Sequence, residues 1–216
     1  MESYKKHHPD LLFKSAPHTG EGKKLIAIGA STGGVDAIGQ ILHSLPKGLP
    51  PIVITQHIPA AFSASFANRL NETTNIQIKE VNERMLLQNS CAYLAHGGTH
   101  LVVEKNLNEY YVKPLKGERI SRHIPSVDVM FRSVNNVVGK NVLAIIMTGM
   151  GDDGCIGIKE LFLNGAYTIA QDEKSCVVFG MPKQAIIQGS ICEIVNLSDI
   201  PNKIIQFSQG LLRRMR

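Results

Sequence analysis

The chain has 216 residues, of which 44% are hydrophobic and 19% charged, so it is long enough for one globular domain and too apolar to be disordered. Its net charge of +5 comes from the ends: residues 1–24 contribute +2 (five basic, three acidic), residues 203–216 contribute +4 (four basic, no acidic), and residues 25–202 contribute −1. A near-neutral body argues against nucleic-acid binding, and the best apolar run, residues 142–147, is too short to span a bilayer.

The N-terminal region is unlike the rest of the chain. Residues 1–23 are polar, contain two prolines and show no hydrophobic periodicity, which predicts a flexible tail or linker. They also lack the apolar segment of a signal peptide. No C-x-x-C pair links the four cysteines, which are Cys91, Cys155, Cys176 and Cys192. We therefore expect free thiols and a cytoplasmic protein without membrane insertion.

The rest of the chain alternates between two patterns. Strands are predicted near residues 24–30, 51–56, 76–81, 91–95, 99–104, 109–114, 142–148, 167–171 and 193–197. Helices are predicted near residues 33–45, 61–72, 126–139, 153–164, 180–188 and 199–213. Apolar strands separated by helices predict an α/β doubly wound fold, with a mostly parallel sheet covered by helices on both faces. Closely spaced strands between residues 91 and 114 predict an antiparallel hairpin at one edge.

The first predicted strand ends in a short glycine-rich sequence. Residues 29–33 read GASTG and fit the pattern G-x-S-x-G, which in serine hydrolases places the serine on a sharp turn between a strand and a helix. The N-terminus of the following helix offers free N–H groups to a negatively charged oxygen. The pattern indicates a nucleophile at Ser31, with an ordinary glycine-rich turn as the alternative.

Two further predicted strands end in residues that suit a serine nucleophile. His57 follows the strand PIVITQ, and the pair Asp152 and Asp153 follows the strand VLAIIM. Because parallel strands end at one edge of a sheet, Ser31, His57 and one aspartate are expected to face one crevice. There the histidine acts as general base and the aspartate orients its ring. A structural histidine and a helix-capping aspartate are the alternatives.

Other kinds of site fit less well. A dinucleotide site needs glycine in place of Ser31 and an acid after the second strand, where the sequence reads TQH. The α/β-hydrolase order of serine, acid and histidine fails because no acid at a strand end precedes the last histidine, His123. A zinc site from His57, His96, His100 and an aspartate is disfavoured because His96 and His100 lie in a glycine turn. We therefore predict no metal and no cofactor.

Five motifs together resemble one known family. They are GASTGG at residues 29–34, ITQHIP at 54–59, PSVDVMFRSV at 125–134, MTGMGDDG at 147–154 and TIAQDEKSCVVFGMPKQAI at 168–186. In order and spacing they resemble the catalytic domain of the bacterial chemotaxis receptor methylesterases, the CheB type. The resemblance implies a catalytic domain over residues 24–201 and leaves residues 202–216 as a basic C-terminal helix or tail. The family's doubly wound α/β fold agrees with the pattern of predicted elements.

Motif by motif, the resemblance implies roles for single residues. Ser31 matches the nucleophile, His57 the base and Asp153 the acid, while the backbone N–H groups of Thr32 and Met150 match the oxyanion site. The implied reaction removes methyl esters from glutamyl γ-carboxylates on the cytoplasmic helices of methylated chemoreceptors and releases methanol. Family members also deamidate receptor glutamines. A histidine kinase of the same signalling array is the other implied partner.

The sequence departs from the family pattern in two places. Family members commonly carry an N-terminal receiver domain that covers the active site until it is phosphorylated, and residues 1–23 are too short for one. A stand-alone enzyme, a catalytic fragment, a receptor-docking module without turnover and a methylesterase of a non-chemotactic array all stay open. His96 replaces the usual proline before the Gly-Gly turn. Cys155, two residues after Asp153, is either an oxidation-sensitive thiol or a small apolar filler.

Overall fold

The computed structural model describes residues 5–19 and 22–212. The strands are β1 (Leu25–Ala30), β2 (Ile52–Gln56), β3 (Gln77–Val81), β4 (Met85–Leu86), β5 (Cys91–Ala95), β6 (His100–Asn106), β7 (Glu109–Leu115), β8 (Val142–Ile146), β9 (Tyr167–Gln171) and β10 (Glu193–Val195). The helices are α1 (Gly34–His43), α2 (Ala60–Thr73), α3 (Val127–Val137), α4 (Cys155–Leu163), α5 (Met181–Ile187) and α6 (Ile200–Ser208). Each predicted strand and helix is present, and the two-residue strand β4 is the one that was not predicted.

The main sheet confirms the predicted doubly wound fold. Its seven strands lie in the order β10-β9-β8-β1-β2-β5-β3, and every pair of neighbours is parallel. From the central strand β1 the chain first builds one half of the sheet and later, from β8 onward, the other half. The crevice between β1 and β8 is therefore the topological switch point of the sheet.

Side chains of the central strands pack alternately on the two faces of the sheet. In β1, Leu25 and Ala27 belong to the core that includes residues of α3, α4 and α5, whereas Ile26 and Ile28 belong to the core that includes residues of α1, α2 and α6. All six residues of β1 are buried. Such strands are apolar without interruption because helices cover both faces, as the sequence pattern predicts.

The predicted antiparallel hairpin also forms, but it belongs to a separate sheet. Strands β6 and β7 pair antiparallel, and β4 pairs with β7, in a three-stranded sheet with the order β4-β7-β6. The backbone N–H of Val103 in β6 donates to the hydroxyl of Ser133 in α3 at 2.9 Å. The small sheet therefore packs on the helical layer rather than extending the parallel sheet.

The N-terminal segment, for which the sequence predicts a flexible tail, lies against the body of the protein where it is described. Pro9 is buried, and the guanidinium of Arg132 in α3 donates to the Asp10 carboxylate at 2.6 Å and to the carbonyl of Phe13 at 3.2 Å. Residues 213–216, the end of the predicted basic tail, lie outside the described residues. None of the helices in the described ranges is long and apolar enough to cross a membrane.

Gly29→Ala tests how closely β1 approaches α3. A Cβ at Gly29 would lie 2.2 Å from Cγ1 of Val127, so we expect a loss of about 1–3 kcal/mol in the free energy of unfolding. Gly39→Ala in α1 is the matched control, because its Cβ would meet nothing closer than 3.8 Å. The control should be about 0.5–1 kcal/mol more stable than the parent chain. Urea unfolding measures both, and equal stabilities would contradict the close approach.

Candidate active site

Three loops meet where β1, β2 and β8 end. Because β1 lies between β2 and β8, the segments after all three strands emerge side by side at the carboxyl edge of the sheet. The N–H of Ser31 donates to the carbonyl of Thr148 at 2.9 Å, and the N–H of His57 donates to the carbonyl of Ala30 at 3.2 Å. Backbone hydrogen bonds thus fix the three loops to one another.

Ser31, His57 and Asp153 are joined by two hydrogen bonds at this edge. The Oγ of Ser31 lies 3.0 Å from Nδ1 of His57, and Nε2 of His57 lies 2.7 Å from Oδ2 of Asp153. The His57 side chain is 10% exposed and that of Asp153 is fully buried. The acceptor carboxylate implies a proton on Nε2 of His57, which leaves Nδ1 as the acceptor for the Ser31 hydroxyl. The structure therefore brings together the three side chains that the strand ends predict.

The N-terminus of α3 holds the buried carboxylate of Asp153. Oδ1 accepts from the hydroxyl of Ser126 at 2.7 Å and from the N–H of Asp128 at 3.1 Å, while Oδ2 accepts from the N–H of Val127 at 2.7 Å. Burial favours a higher pKa for Asp153, but the contact with His57 and these donors outweigh burial and hold the pKa below its usual value. Asp153 therefore stays charged although its side chain is fully buried.

Asp128 makes the reciprocal contact with α4. Its Oδ1 accepts from the N–H groups of Ile156 and Gly157 at 2.9 and 3.0 Å, and its Oδ2 lies within hydrogen-bond distance of the Ser121 hydroxyl oxygen, at 2.7 Å. Burial and the nearby charge of Asp153 raise the pKa of Asp128 to about 8. The two carboxyl groups thus lock two helix N-termini together, and the one next to His57 is the ionised one.

Asp152, the other aspartate of the GDDG sequence, faces away from the histidine. Its carboxylate accepts from the guanidinium of Arg122 at 3.0 Å and pairs with the ammonium of Lys6. The side chain is 30% exposed. Of the two aspartates that the sequence leaves open, the structure places Asp153 against His57.

Two buried polar side chains hold the loop around Ser31. The Nε2 group of Gln56 donates to the carbonyls of Ser31 and His57 at 2.9 and 3.1 Å. The hydroxyl of Thr148 donates to the carbonyl of Thr32 at 2.8 Å and accepts from the N–H of Val178 at 3.0 Å. Sequence reasoning did not single out either residue, although both occur at ends of predicted strands.

Thr32 and Met150, the two residues of the predicted oxyanion site, lie on loops that touch each other. A Cβ at Gly149 would lie 2.7 Å from that of Ser31, so the loop that carries Met150 approaches the serine as closely as glycine allows. The N–H groups of Thr32 and Met150 find no acceptor within residues 5–19 and 22–212. Met150 is 72% exposed. Neither N–H group is thus bonded to an acceptor among these residues.

His96, His100 and Cys155, the other residues that the sequence analysis considered, lie in contacts typical of structural residues. His96 contacts the Glu80 carboxylate at 2.9 Å, and buried His100 donates to the carbonyl of Glu118 at 2.9 Å. The Cys155 thiol is buried, and burial together with nearby carboxylates raises its pKa far above the usual value. A thiol that stays protonated is unreactive, which favours the apolar filler over the oxidation-sensitive thiol. Among the residues that the structure describes, no cluster of three His, Cys, Asp or Glu side chains could hold a metal.

Sequence reasoning named His123 but missed its contact with His57. The two imidazole rings stack with centroids 3.7 Å apart and planes 11° apart. His123, Ile58, Pro59 and Arg119 line a cleft of about 370 Å³ that opens beside His57. No signal in the sequence points to this contact, because His57 and His123 lie on different loops that only the fold brings together.

Comparisons with known sequences agree on one family. The family model described as CheB methylesterase matches residues 26–204. A relative from Geobacter metallireducens, named protein-glutamate methylesterase/protein-glutamine glutaminase 1, is 48% identical over 190 residues, which are 87% of this chain and 52% of the relative. A relative from Oleidesulfovibrio alaskensis, protein-glutamate methylesterase/protein-glutamine glutaminase 2, is 46% identical over 184 residues, 85% of this chain and 52% of the relative. The chain spans about half the length of the curated relatives it matches.

A solved structure gives the same result for the fold. The crystal structure of the Thermotoga maritima CheB methylesterase catalytic domain superimposes with a TM-score of 0.83 at 34% sequence identity. The match covers 87% of this chain and 99% of the Thermotoga chain. Almost the whole of that catalytic domain therefore has a counterpart here.

Asp128→Asn tests the paired carboxyl groups through the pH dependence of stability. The native chain holds the Asp128 proton up to about pH 8, whereas the unfolded chain releases it near 3.8, so the free energy of unfolding falls as the pH rises between these values. Asparagine has no proton to lose. We expect Asp128→Asn to be more stable, relative to the parent chain, at pH 9 than at pH 5 in urea unfolding. A difference that does not depend on pH would contradict the raised pKa, and Asp36→Asn, on the exposed face of α1, is the control.

Proposed function

The chain belongs to the CheB methylesterase family, and from this premise we propose that it is a serine hydrolase of glutamyl methyl esters. The proposed substrates are the γ-methyl esters on the cytoplasmic helices of methylated chemoreceptors, and the products are methanol and the free carboxylate. The one observation that carries the proposal is the hydrogen-bonded series from Ser31 through His57 to the buried Asp153.

In the proposed first step, the Oγ of Ser31 attacks the ester carbonyl carbon while its proton moves to Nδ1 of His57. Asp153 accepts the Nε2–H hydrogen bond throughout, so it holds the ring in the tautomer with a free Nδ1 and stabilises the imidazolium that forms. The tetrahedral oxyanion accepts hydrogen bonds from the N–H groups of Thr32 and Met150. These groups suit the role because no acceptor among the described residues occupies them.

In the second half of the proposed reaction, the C–O bond to the methoxy group breaks and His57 returns its proton to the departing oxygen as methanol forms. Water then attacks the acyl-enzyme with the same base, releasing the glutamate and restoring the Ser31 hydroxyl. Deamidation of receptor glutamines is a second proposed activity, since the curated relatives are named for both. Deamidation should be slower than ester hydrolysis, because an amide nitrogen depends more on receiving a proton before it leaves than a methoxy oxygen does.

Residues 24–201 form the proposed catalytic domain, and the family-model match over residues 26–204 supports these bounds. A cytoplasmic location, which gives access to receptor helices, fits the same proposal. The histidine kinase of the receptor array is a second predicted partner. Docking on receptors without turnover is the competing function, and the next experiment distinguishes it from ester hydrolysis.

Ser31→Ala tests the proposed nucleophile. The variant should release methanol from methylated receptor at a rate near the uncatalysed background, because no other hydroxyl lies against Nδ1 of His57 among the described residues. Methanol is measured directly, and receptor binding is measured in parallel as the control. A parent chain that binds receptor without releasing methanol would support the docking module instead.

Asp153→Asn tests the proposed orienting residue. Asparagine can present an N–H to Nε2 of His57 and so favour the wrong tautomer, and we expect kcat to fall about 10⁴-fold, as it does in serine proteases. Asp152→Asn is the matched control, since Asp152 contacts Arg122 and Lys6 instead of the histidine. The control should keep turnover within a few-fold of the parent. Equal losses in the two variants would contradict the assignment.

A further inference from the structure

The ring of His123 lies flat against the ring of the proposed base. The centroid distance of 3.7 Å and the interplanar angle of 11° place the π-face of one imidazole directly on that of the other. The edge of His57 already has its two partners, Ser31 and Asp153. His123 is therefore the group that covers one face of the base.

Hydrogen bonds hold the loop that carries His123. The N–H of Ile120 donates to the carbonyl of His123 at 3.0 Å, and the N–H of His123 donates back to Ile120 at 2.8 Å. Ser121, inside this turn, hydrogen-bonds through its hydroxyl to Asp128 of α3 at 2.7 Å. The stacked ring is thus fixed to the same helix N-terminus that holds Asp153.

His123 is held in its neutral form beside the base. Burial is the main cause, and the charges of His57, Arg122 and Arg119 add to it, so that the pKa of His123 falls to about 4 although Asp153 acts in the opposite direction. A neutral aromatic face attracts a cation placed over it. His57 becomes such a cation when it takes the proton of Ser31, so the stack is more favourable in the transition state than in the resting site.

We propose that His123 is a positioning residue whose ring face stabilises the protonated form of His57 and fixes the plane of its ring between Ser31 and Asp153. The inference rests on the proposed role of His57 as base. His123 would thus contribute through stacking alone, because its side chain makes no hydrogen bond to Ser31, His57 or Asp153. A ring face of any kind should serve, whereas an aliphatic side chain of similar size should not.

Two variants separate the ring face from simple packing. His123→Phe keeps an aromatic face and removes the titratable group, while His123→Leu fills similar space without one. A cation–π contact of ordinary strength corresponds to about a 2- to 30-fold effect. We expect kcat for methanol release to fall by about this factor in His123→Leu with KM unchanged, and to be higher in His123→Phe than in His123→Leu. Equal kcat values in the two variants, or a change in KM alone, would overturn the inference.

A second measurement does not depend on turnover. The titration of the His57 ring is followed by NMR in both variants with isotope-labelled histidine. His57 should lose its proton at a lower pH in His123→Leu than in His123→Phe, by about 0.4 to 1.5 pH units. Coincident His57 titration curves in the two variants would contradict the proposed role of His123. Separate curves in a chain that releases no methanol would instead leave the stack in place and sink the proposed esterase function.

Discussion

The buried charge of Asp153 is the interaction on which the site depends. A carboxylate without solvent contact is costly unless hydrogen bonds and opposite charge replace its water. Here the N-terminus of α3 supplies the hydroxyl of Ser126 and the N–H groups of Val127 and Asp128, and His57 supplies the remaining donor. The positive end of the helix dipole acts in the same direction. The orientation of His57 is therefore a consequence of how α3 begins.

The position of α3 depends in turn on glycines at two close approaches. Val127 lies where a Cβ at Gly29 would fall, and the first turn of α4 reaches Asp128 because Gly157 carries no side chain toward Phe131. The reciprocal contact of Asp128 with the N–H groups of α4 ties the two helices together. Small residues in β1 and α4 thus set the distance between the carboxylate and the sheet edge that carries the serine.

The sequence was most informative where local pattern and site coincide. Apolar strands followed by helices predicted the parallel sheet, and Ser31 and His57 could be placed together because the ends of neighbouring parallel strands must meet. Strand ends alone left Asp152 and Asp153 open, since only the fold decides which one turns inward. The stack of His123 on His57 could not be predicted, because the loop before α3 has no periodicity and His57 lies on a different loop, far away in the sequence. The small sheet was predicted as a hairpin and α3 as a helix, but the packing of one on the other was not predicted.

Stability and proposed chemistry share the same hydrogen bonds in this protein. The carboxylate of Asp153 needs a cation or donor beside it to remain buried, and His57 provides a donor at rest and a cation when it holds the serine proton. Each donor that the α3 terminus gives to Asp153 therefore favours both the folded chain and the protonated base. Ser31 and His57 directly follow strands, and the N-terminus of α3 holds Asp153. A site built on rigid strand ends and a helix terminus places its groups more precisely than one built on loops alone.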